Sequence, residues 1–280
     1  MVTGNCVGIM QGRLLPSVGG QIQAFPGRRW VEEFQLAHAL GYTSIEVIAD
    51  EVDEENPIWN PKTLPQINQA IAETEVTVPF VLADYFMKCP FVGASASELV
   101  QRRALLCQLI DVAEAIDAKG VELPFVDASS MRNRQQEDEV CSVLEPCLRY
   151  AADRSLVLGF ELDLNPASAR RFFAALDHPA ARANYDTGNS AALGYDVEEE
   201  FDAYGHLVAN VHVKDRLRGG HTVPLGEGAT NLRKVFEVIA SSGYEGHYIV
   251  QGARGGDDVE AARQYLHFVV EGLQGAVGTG

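Results

Sequence analysis

Val208–Arg218 reads VANVHVKDRLR, an apolar run that ends in charge. Side chains along a strand alternate between its two faces, so His212 and Lys214 share one face and Val211, Val213 and Asp215 the other. An imidazole beside an ammonium at the end of a buried strand serves packing badly and points to a working site. Three other strand-like runs end in polar groups: LVLGFELDL carries Glu161, ARANYDTGN carries Asp186 and HYIVQGAR carries Gln251. The expectation is that these four ends converge on one metal ion.

Working outward from Val208, the same unit repeats. Strand-like runs lie near residues 6, 45, 78, 121, 158, 184, 210 and 248, each followed by a helical pattern. Trp30–Leu40 shows helical spacing and stops at Gly41, and Pro166–Leu176 follows Asn165, which can cap it. Val76–Leu82 reads as the third strand, Glu98–Ala118 as a long helix, and the tail GAVGTG as frayed. Units of roughly 25–40 residues are βα-sized. Eight of them predict an α/β fold, a (β/α)8 TIM barrel filling residues 1–280 as a single domain. An open doubly wound sheet would carry a GxGxxG loop after its first strand, and GIMQGR lacks that spacing.

Composition removes several function classes. The formal charge is −17 and hydrophobic content 46%, so the chain has a core and no basic face for nucleic acid or an anionic membrane. Five cysteines without a CxxC pair argue for thiols in a reducing cytoplasm, against disulfides and thiolate zinc. The start, MVTGNCVGIMQGR, lacks a basic region and a long apolar run, so no secretory leader is expected. No stretch approaches the ~20 apolar residues of a membrane span.

Chemistry in such a barrel lies at the C-terminal ends of the strands. The polar residues there are Gln11 and Arg13, Glu46, Asp84, Glu122, Glu161 and Asp163, Asp186 and Asn189, His212 and Lys214, and Gln251 and Arg254, in strand order. An ionised group in a buried strand is costly unless paired or ligated. Taken singly, each has an ordinary explanation. Glu161 can pair with Lys214 or Arg218, Asp186 can shape a turn, and His212 can be a satisfied core histidine. Their arrival on consecutive strands favours one divalent ion held by Glu161, Asp186, His212 and the amide oxygen of Gln251. This mostly hard donor set suits Mn2+ first, then Mg2+ or Co2+, with Zn2+ also compatible. Glu46 and Glu122 read either as substrate acceptors or as partners of a neighbouring arginine. Arg13, Lys214, Arg216, Arg218 and Arg254 gather at the expected mouth, favouring an anionic or polyhydroxylated ligand unless they pair with rim carboxylates.

The set MQGRLLP, IEVIAD, FELDL, YDTGN, VHVKD and PLGEG, in this order, resembles the xylose isomerase-like barrel superfamily. Within it, the chain is most similar to the sugar phosphate isomerase/epimerase branch, which includes ketose 3-epimerases. The resemblance implies one divalent metal held by Glu, Asp, His and Glu on strands five to eight. The first three fall on Glu161, Asp186 and His212, and the fourth falls on Gln251, a departure. It implies a substrate-holding Arg soon after the His, matched by Arg218, and Asn189 stands where a His often follows the Asp. Gln11, Arg13, Glu46, Glu122, Asn189, Arg218 and Arg254 are the expected substrate contacts. Homodimers or homotetramers built through the outer helices are a further implication of the likeness.

In ketose 3-epimerases two glutamates move protons on opposite faces of the substrate. Gln251 can offer an oxygen but cannot be a base. Glu161 is then the one carboxylate base near the ion, with Lys214 the candidate second acid/base. The expectation is a cytoplasmic, metal-dependent isomerase or epimerase of a small sugar, sugar phosphate or related polyol ketone, working through an enediolate. One base also suffices for syn dehydration, so a lyase acting on an inosose-like cyclitol ketone is the alternative. A non-catalytic sugar-binding barrel is another. Hydrolysis of DNA at abasic sites, known on the same barrel, needs a multi-zinc cluster with many more histidine ligands; only seven histidines occur here, most of them off the strand ends, and the charge is adverse.

Overall fold

The structure, a computed structural model, describes residues 6–277. Residues 1–5, part of the N-terminal stretch read above, and 278–280, the end of the tail, lie outside the described residues. Eight parallel strands close into a barrel: β1 (Val7–Met10), β2 (Ser44–Ile48), β3 (Phe80–Leu82), β4 (Gly120–Phe125), β5 (Val157–Leu162), β6 (Ala181–Asp186), β7 (Val208–Val213) and β10 (His247–Val250), which pairs back onto β1. A small antiparallel hairpin, β8 (Asp215–Arg216) with β9 (Thr222–Val223), follows β7. The expected α/β barrel is the fold observed.

The helices α1 (Trp30–Leu40), α2 (Pro65–Thr74), α4 (Ala96–Ala115), α5 (Arg134–Ala152), α6 (Pro166–Leu176), α8 (Val197–Tyr204), α9 (Leu232–Ser241) and α10 (Asp258–Val277) follow the strands in turn. Aromatic contacts show which strand face meets them. Phe160 of β5 packs edge-on to Phe172 and Phe173 of α6, at 5.5 and 6.2 Å. Tyr185 of β6 meets Phe201 of α8 at 5.1 Å, and Tyr248 of β10 meets Phe236 of α9 at 6.3 Å. Truncating a ring such as Phe160 to alanine costs about 3–5 kcal/mol. With these residues outward, period-2 alternation turns Glu161, Asn184, Asp186, Ile249 and Gln251 inward.

Local chemistry sets the element ends. Gly41 takes φ +94° and its N–H closes α1 on the Ala37 and His38 carbonyls. Asn165 Oδ1 accepts from Ser168 N at 3.0 Å, capping α6 as expected. A capping box at Ser95 and Glu98 starts α4 two residues before the expected Glu98. The expected third strand, Val76–Leu82, shortens to Phe80–Leu82 because Pro79 has no N–H for a ladder, leaving Thr77 as a lone bridge to Ser44. The tail is helical through Val277 rather than frayed from Gly275. Two short helices were not expected, α3 (Tyr85–Lys88), separated from the end of β3 by two residues, and α7 (Thr187–Leu193), directly after β6. Among the described residues no helix is long and apolar enough to cross a membrane.

Candidate metal centre and active site

His212 is fully buried inside the barrel, with both ring nitrogens engaged. Nε2 lies 2.9 Å from Glu122 Oε2 and 3.2 Å from Glu46 Oε1. Nδ1 lies 3.0 Å from Gln251 Nε2 and 3.2 Å from Asn184 Nδ2. Two residues back on the same face of β7, Asn210 donates to Glu46 Oε2 at 2.7 Å. Burial alone would push the imidazole pKa down, but the two carboxylates outweigh it and hold His212 well above its ordinary value. Burial pushes Glu122 well up, and Glu46 and Glu161 add to the push. Burial also opposes charge on Glu46, yet His212 and the Asn210 bond hold it below the usual carboxylate range. Glu46 and Glu122 were expected to face substrate. Both are fully buried and turned onto His212, because β2 and β4 point them across the barrel axis.

The second group is the expected one. One ligand atom from each of Glu161, Asp186 and His212 lies within 4.8 Å of the other two, all three buried. Asp186 Oδ1 caps α7, accepting from Gly188 N at 2.9 Å and Asn189 N at 2.8 Å. Its Oδ2 lies 2.6 Å from Lys214 Nζ. Lys214 is fixed at its backbone by Thr187, whose Oγ1 donates to the Lys214 carbonyl at 2.6 Å and accepts from its N–H at 3.0 Å. Asn189 Nδ2 donates to Glu161 Oε1. Burial raises the Glu161 pKa, the Asp186 charge adds to this, and Lys214 and His212 oppose it. Burial would raise Asp186 too, but Lys214 and His212 bring it below its ordinary value. Nearby, burial and the charges of Asp50 and Glu161 push Asp84 up to about 6.

A divalent ion fits this donor set. Four acidic side chains, Glu46, Glu122, Glu161 and Asp186, meet one imidazole and one ammonium in the buried core, so acidic groups outnumber their cationic partners. Glu161, Asp186, His212 and, through its amide oxygen, Gln251 are the residues able to hold the ion.

The remaining expected contacts lie elsewhere. Gln11 Oε1 accepts from Ile48 N at 3.0 Å, tying β1 to β2. Arg13 donates to the Gly252 carbonyl at 2.7 Å and to Gln23 at 3.1 Å, and burial, with Arg254 beside it, lowers its pKa to about 10. Arg254 donates to the carbonyls of Gly12, Leu15 and Ile22 and pairs with Asp258 at 2.6 Å. These residues staple the loops of the mouth. Arg218, in the turn of the β8–β9 hairpin, is exposed and lies over Gly194 at the end of α7. Arg216 takes the inner position instead and donates to Asn189 Oδ1 at 2.7 Å. The cationic cluster expected at the mouth is therefore largely engaged by carbonyls and carboxylates.

Sequence reading missed Asn184, Asn210, Thr187 and Asp215. Asp215 accepts from the Gly226, Gly228 and Thr230 amides at 2.9, 2.8 and 3.0 Å and so shapes the glycine-rich loop. A signal for two of them was present: Asn210 and Asn184 sit two residues before His212 and Asp186, on the same strand faces.

Compared with known proteins, a family model described as xylose isomerase-like TIM barrel matches residues 34–269. L-ribulose-5-phosphate 3-epimerase UlaE of Escherichia coli is 28% identical over 236 residues, covering 80% of this chain and 82% of that protein. The solved structure of L-ribulose 3-epimerase superposes with a TM-score of 0.79 at 14% identity, over 98% of this chain and 96% of that one. A xylose isomerase-like TIM barrel protein from Mycobacterium smegmatis in complex with magnesium gives 0.71 at 16% identity, over 96% and 97%.

Proposed function

The chain belongs to the xylose isomerase-like TIM barrel family, and from that premise we propose that it is a divalent-metal-dependent isomerase or epimerase of a small sugar, sugar phosphate or related polyol ketone. The observation that carries this is the buried Glu161–Asp186–His212 group with Lys214 on its rim. The likeness to an L-ribulose-5-phosphate 3-epimerase supports a ketose or its phosphate as substrate. Mn2+ is the ion of first choice, and the magnesium complex of a structural relative supports Mg2+ as a second. The reading places the enzyme in the cytoplasm as a homodimer or homotetramer.

When bound, the ion stabilises negative charge on the carbonyl and neighbouring hydroxyl oxygens of the substrate. Glu161 removes the proton from the hydroxyl-bearing carbon next to the carbonyl. Burial and the Asp186 charge keep its carboxylate basic, and Asn189 restrains its Oε1 so that the other oxygen can act. Loss of this proton gives an enediolate. Lys214, held on Asp186, is the group able to return a proton from a second position. Gln251 binds and orients but has no proton to exchange.

The absence of an ionisable group at Gln251 also favours a second reading, one-base dehydration of a cyclitol ketone, in which Glu161 gives the proton it has taken to the departing hydroxyl as the C–O bond of the enediolate breaks, releasing water. One experiment separates the readings. The Mn2+-loaded protein is incubated in heavy water with ketoses, ketose phosphates and cyclitol ketones. Deuterium uptake beside the carbonyl with retained mass otherwise supports isomerase or epimerase chemistry, and loss of water supports the lyase. Full activity in both Glu161→Gln and His212→Ala overturns the metal-centred mechanism. Sugar binding without any exchange leaves a non-catalytic barrel.

A further inference from the structure

We propose that Glu46 and Glu122 are positioning residues that commit His212 to hold the ion through Nδ1. The inference rests on the metal-dependent reading above and assigns the buried carboxylates a task other than contact with substrate.

A neutral imidazole has one N–H and one lone pair, and its surroundings select which nitrogen carries which. Nε2 faces two carboxylate oxygens, at 2.9 and 3.2 Å; Glu46, held ionised, only accepts, so it calls for an N–H on Nε2. The arrangement is rigid. Glu46, Glu122, Asn210 and His212 all have zero exposure, and Asn210 pins the second oxygen of Glu46 at 2.7 Å. Nδ1 faces two amides, Gln251 at 3.0 Å and Asn184 at 3.2 Å. Rotating the Gln251 amide by half a turn exchanges its NH2 for its oxygen at no covalent cost. The eighth-strand oxygen then faces Nδ1, the nitrogen that Glu46 and Glu122 leave open.

The competing geometry is real. Glu46, Glu122 and His212 also bring their ligand atoms within 4.8 Å of one another. An ion there would have to displace the Nε2 proton, and Gln251, on the other nitrogen, could not reach it. Ligand histidines generally give their second N–H to a carboxylate or carbonyl, and removing that partner costs about 10–100-fold in metal affinity.

The test combines nitrogen assignment with affinity. In protein labelled with 15N-histidine and loaded with 113Cd2+, the expected cadmium–nitrogen coupling is at Nδ1 of His212, with the proton on Nε2. Mn2+ titration followed by electron paramagnetic resonance should show roughly 10–100-fold weaker binding in Glu122→Gln and Glu46→Gln. Asp84→Asn is the charge control, because Asp84 acts on Glu161 and Lys214 through its charge. It should weaken Mn2+ by only a few-fold. Coupling at Nε2, unchanged affinity in both glutamine variants, or an equal loss in Asp84→Asn each overturns the inference while leaving the metal reading intact. A wild-type protein that takes up neither ion overturns both. If a glutamine variant fails to fold, the nitrogen assignment in wild type decides alone.

Discussion

Arg216 Nη1 donates to Asn189 Oδ1 at 2.7 Å, and this bond determines which end of the Asn189 amide faces Glu161. A guanidinium only donates, so the amide oxygen must turn to Arg216 and the NH2 to Glu161 Oε1. Arg216 is itself held by the Gly220 carbonyl through Nε and Nη2, at 3.0 and 2.8 Å. The loop after β7 therefore reaches the base through two side chains.

Replacing Arg216 with methionine frees the Asn189 amide to rotate. A hydrogen bond to a charged group contributes about 1.5–3 kcal/mol, so kcat should fall roughly 10–100-fold with KM nearly constant. Arg218→Met, on the outer side of Gly194, should change kcat by no more than a few-fold. Steady-state kinetics on both variants checks this, and equal losses would return the functional role to Arg218.

Lys214→Met separates proton transfer from ion binding. The ammonium lies 2.6 Å from Asp186 Oδ2, where it competes with a cation for the same oxygen. Turnover should drop about 10²–10⁴-fold if Lys214 moves a proton. Mn2+ affinity should instead rise, by about tenfold for a like charge removed across a few ångströms of protein. Calorimetric titration against kinetics reads the two effects separately. Weaker Mn2+ binding in the variant would show that the ammonium supports the site rather than competing with the ion.

Gly188 sets how closely α7 approaches Lys214. A Cβ there would come 2.9 Å from Lys214 Cγ and 3.0 Å from its Cβ and carbonyl carbon, two of these backbone or near-backbone atoms that cannot yield freely. Gly188→Ala should destabilise by about 1–3 kcal/mol and lower kcat by displacing the Lys214 stem. Added to Lys214→Met, it should cause no further loss of kcat, since contacting residues couple. Additive losses in the double variant would place its effect outside the Asp186–Lys214 pair.

The barrel was legible because each βα unit carries its own local signals, as Gly41 and Asn165 do at helix ends. Glu161, Asp186 and His212 were legible because polar groups at apolar strand ends stand out. The orientation of Glu46 was not. SIEVI is buried on both faces, so its alternation does not say which face meets His212 from 166 residues away. Glu122, in GVELPF, is hidden in the same way. Arg216 and Arg218 differ only through the β8–β9 hairpin, whose two-residue strands leave almost no periodic trace. What sequence could not supply was long-range register.

Glu200 should make stability fall as pH rises through the weakly acidic range. It is nearly fully buried on α8 and accepts from Tyr185 and Tyr204 hydroxyls, each at 3.1 Å, and from Ser190. Burial pushes its pKa from 4.5 to about 7 although all three hydroxyls oppose the shift. Between those values the folded chain keeps a proton that the unfolded chain has lost. Unfolding then releases a proton, and each pH unit upward removes about 1.4 kcal/mol. The contribution is complete below pH 4.5, declines up to about 7 and is constant above, a total of about 3 kcal/mol. Glu200→Gln keeps an acceptor oxygen but cannot titrate, so this slope should vanish from it. Glu33, whose carboxylate accepts from Gly12 and Leu14 amides and is likewise raised to about 7, stays in both proteins and leaves its own slope in each. Urea midpoints from pH 4.5 to 8 should therefore show the variant gaining on wild type by about 3 kcal/mol across that range. Curves that run parallel would remove Glu200 as a source of the pH dependence.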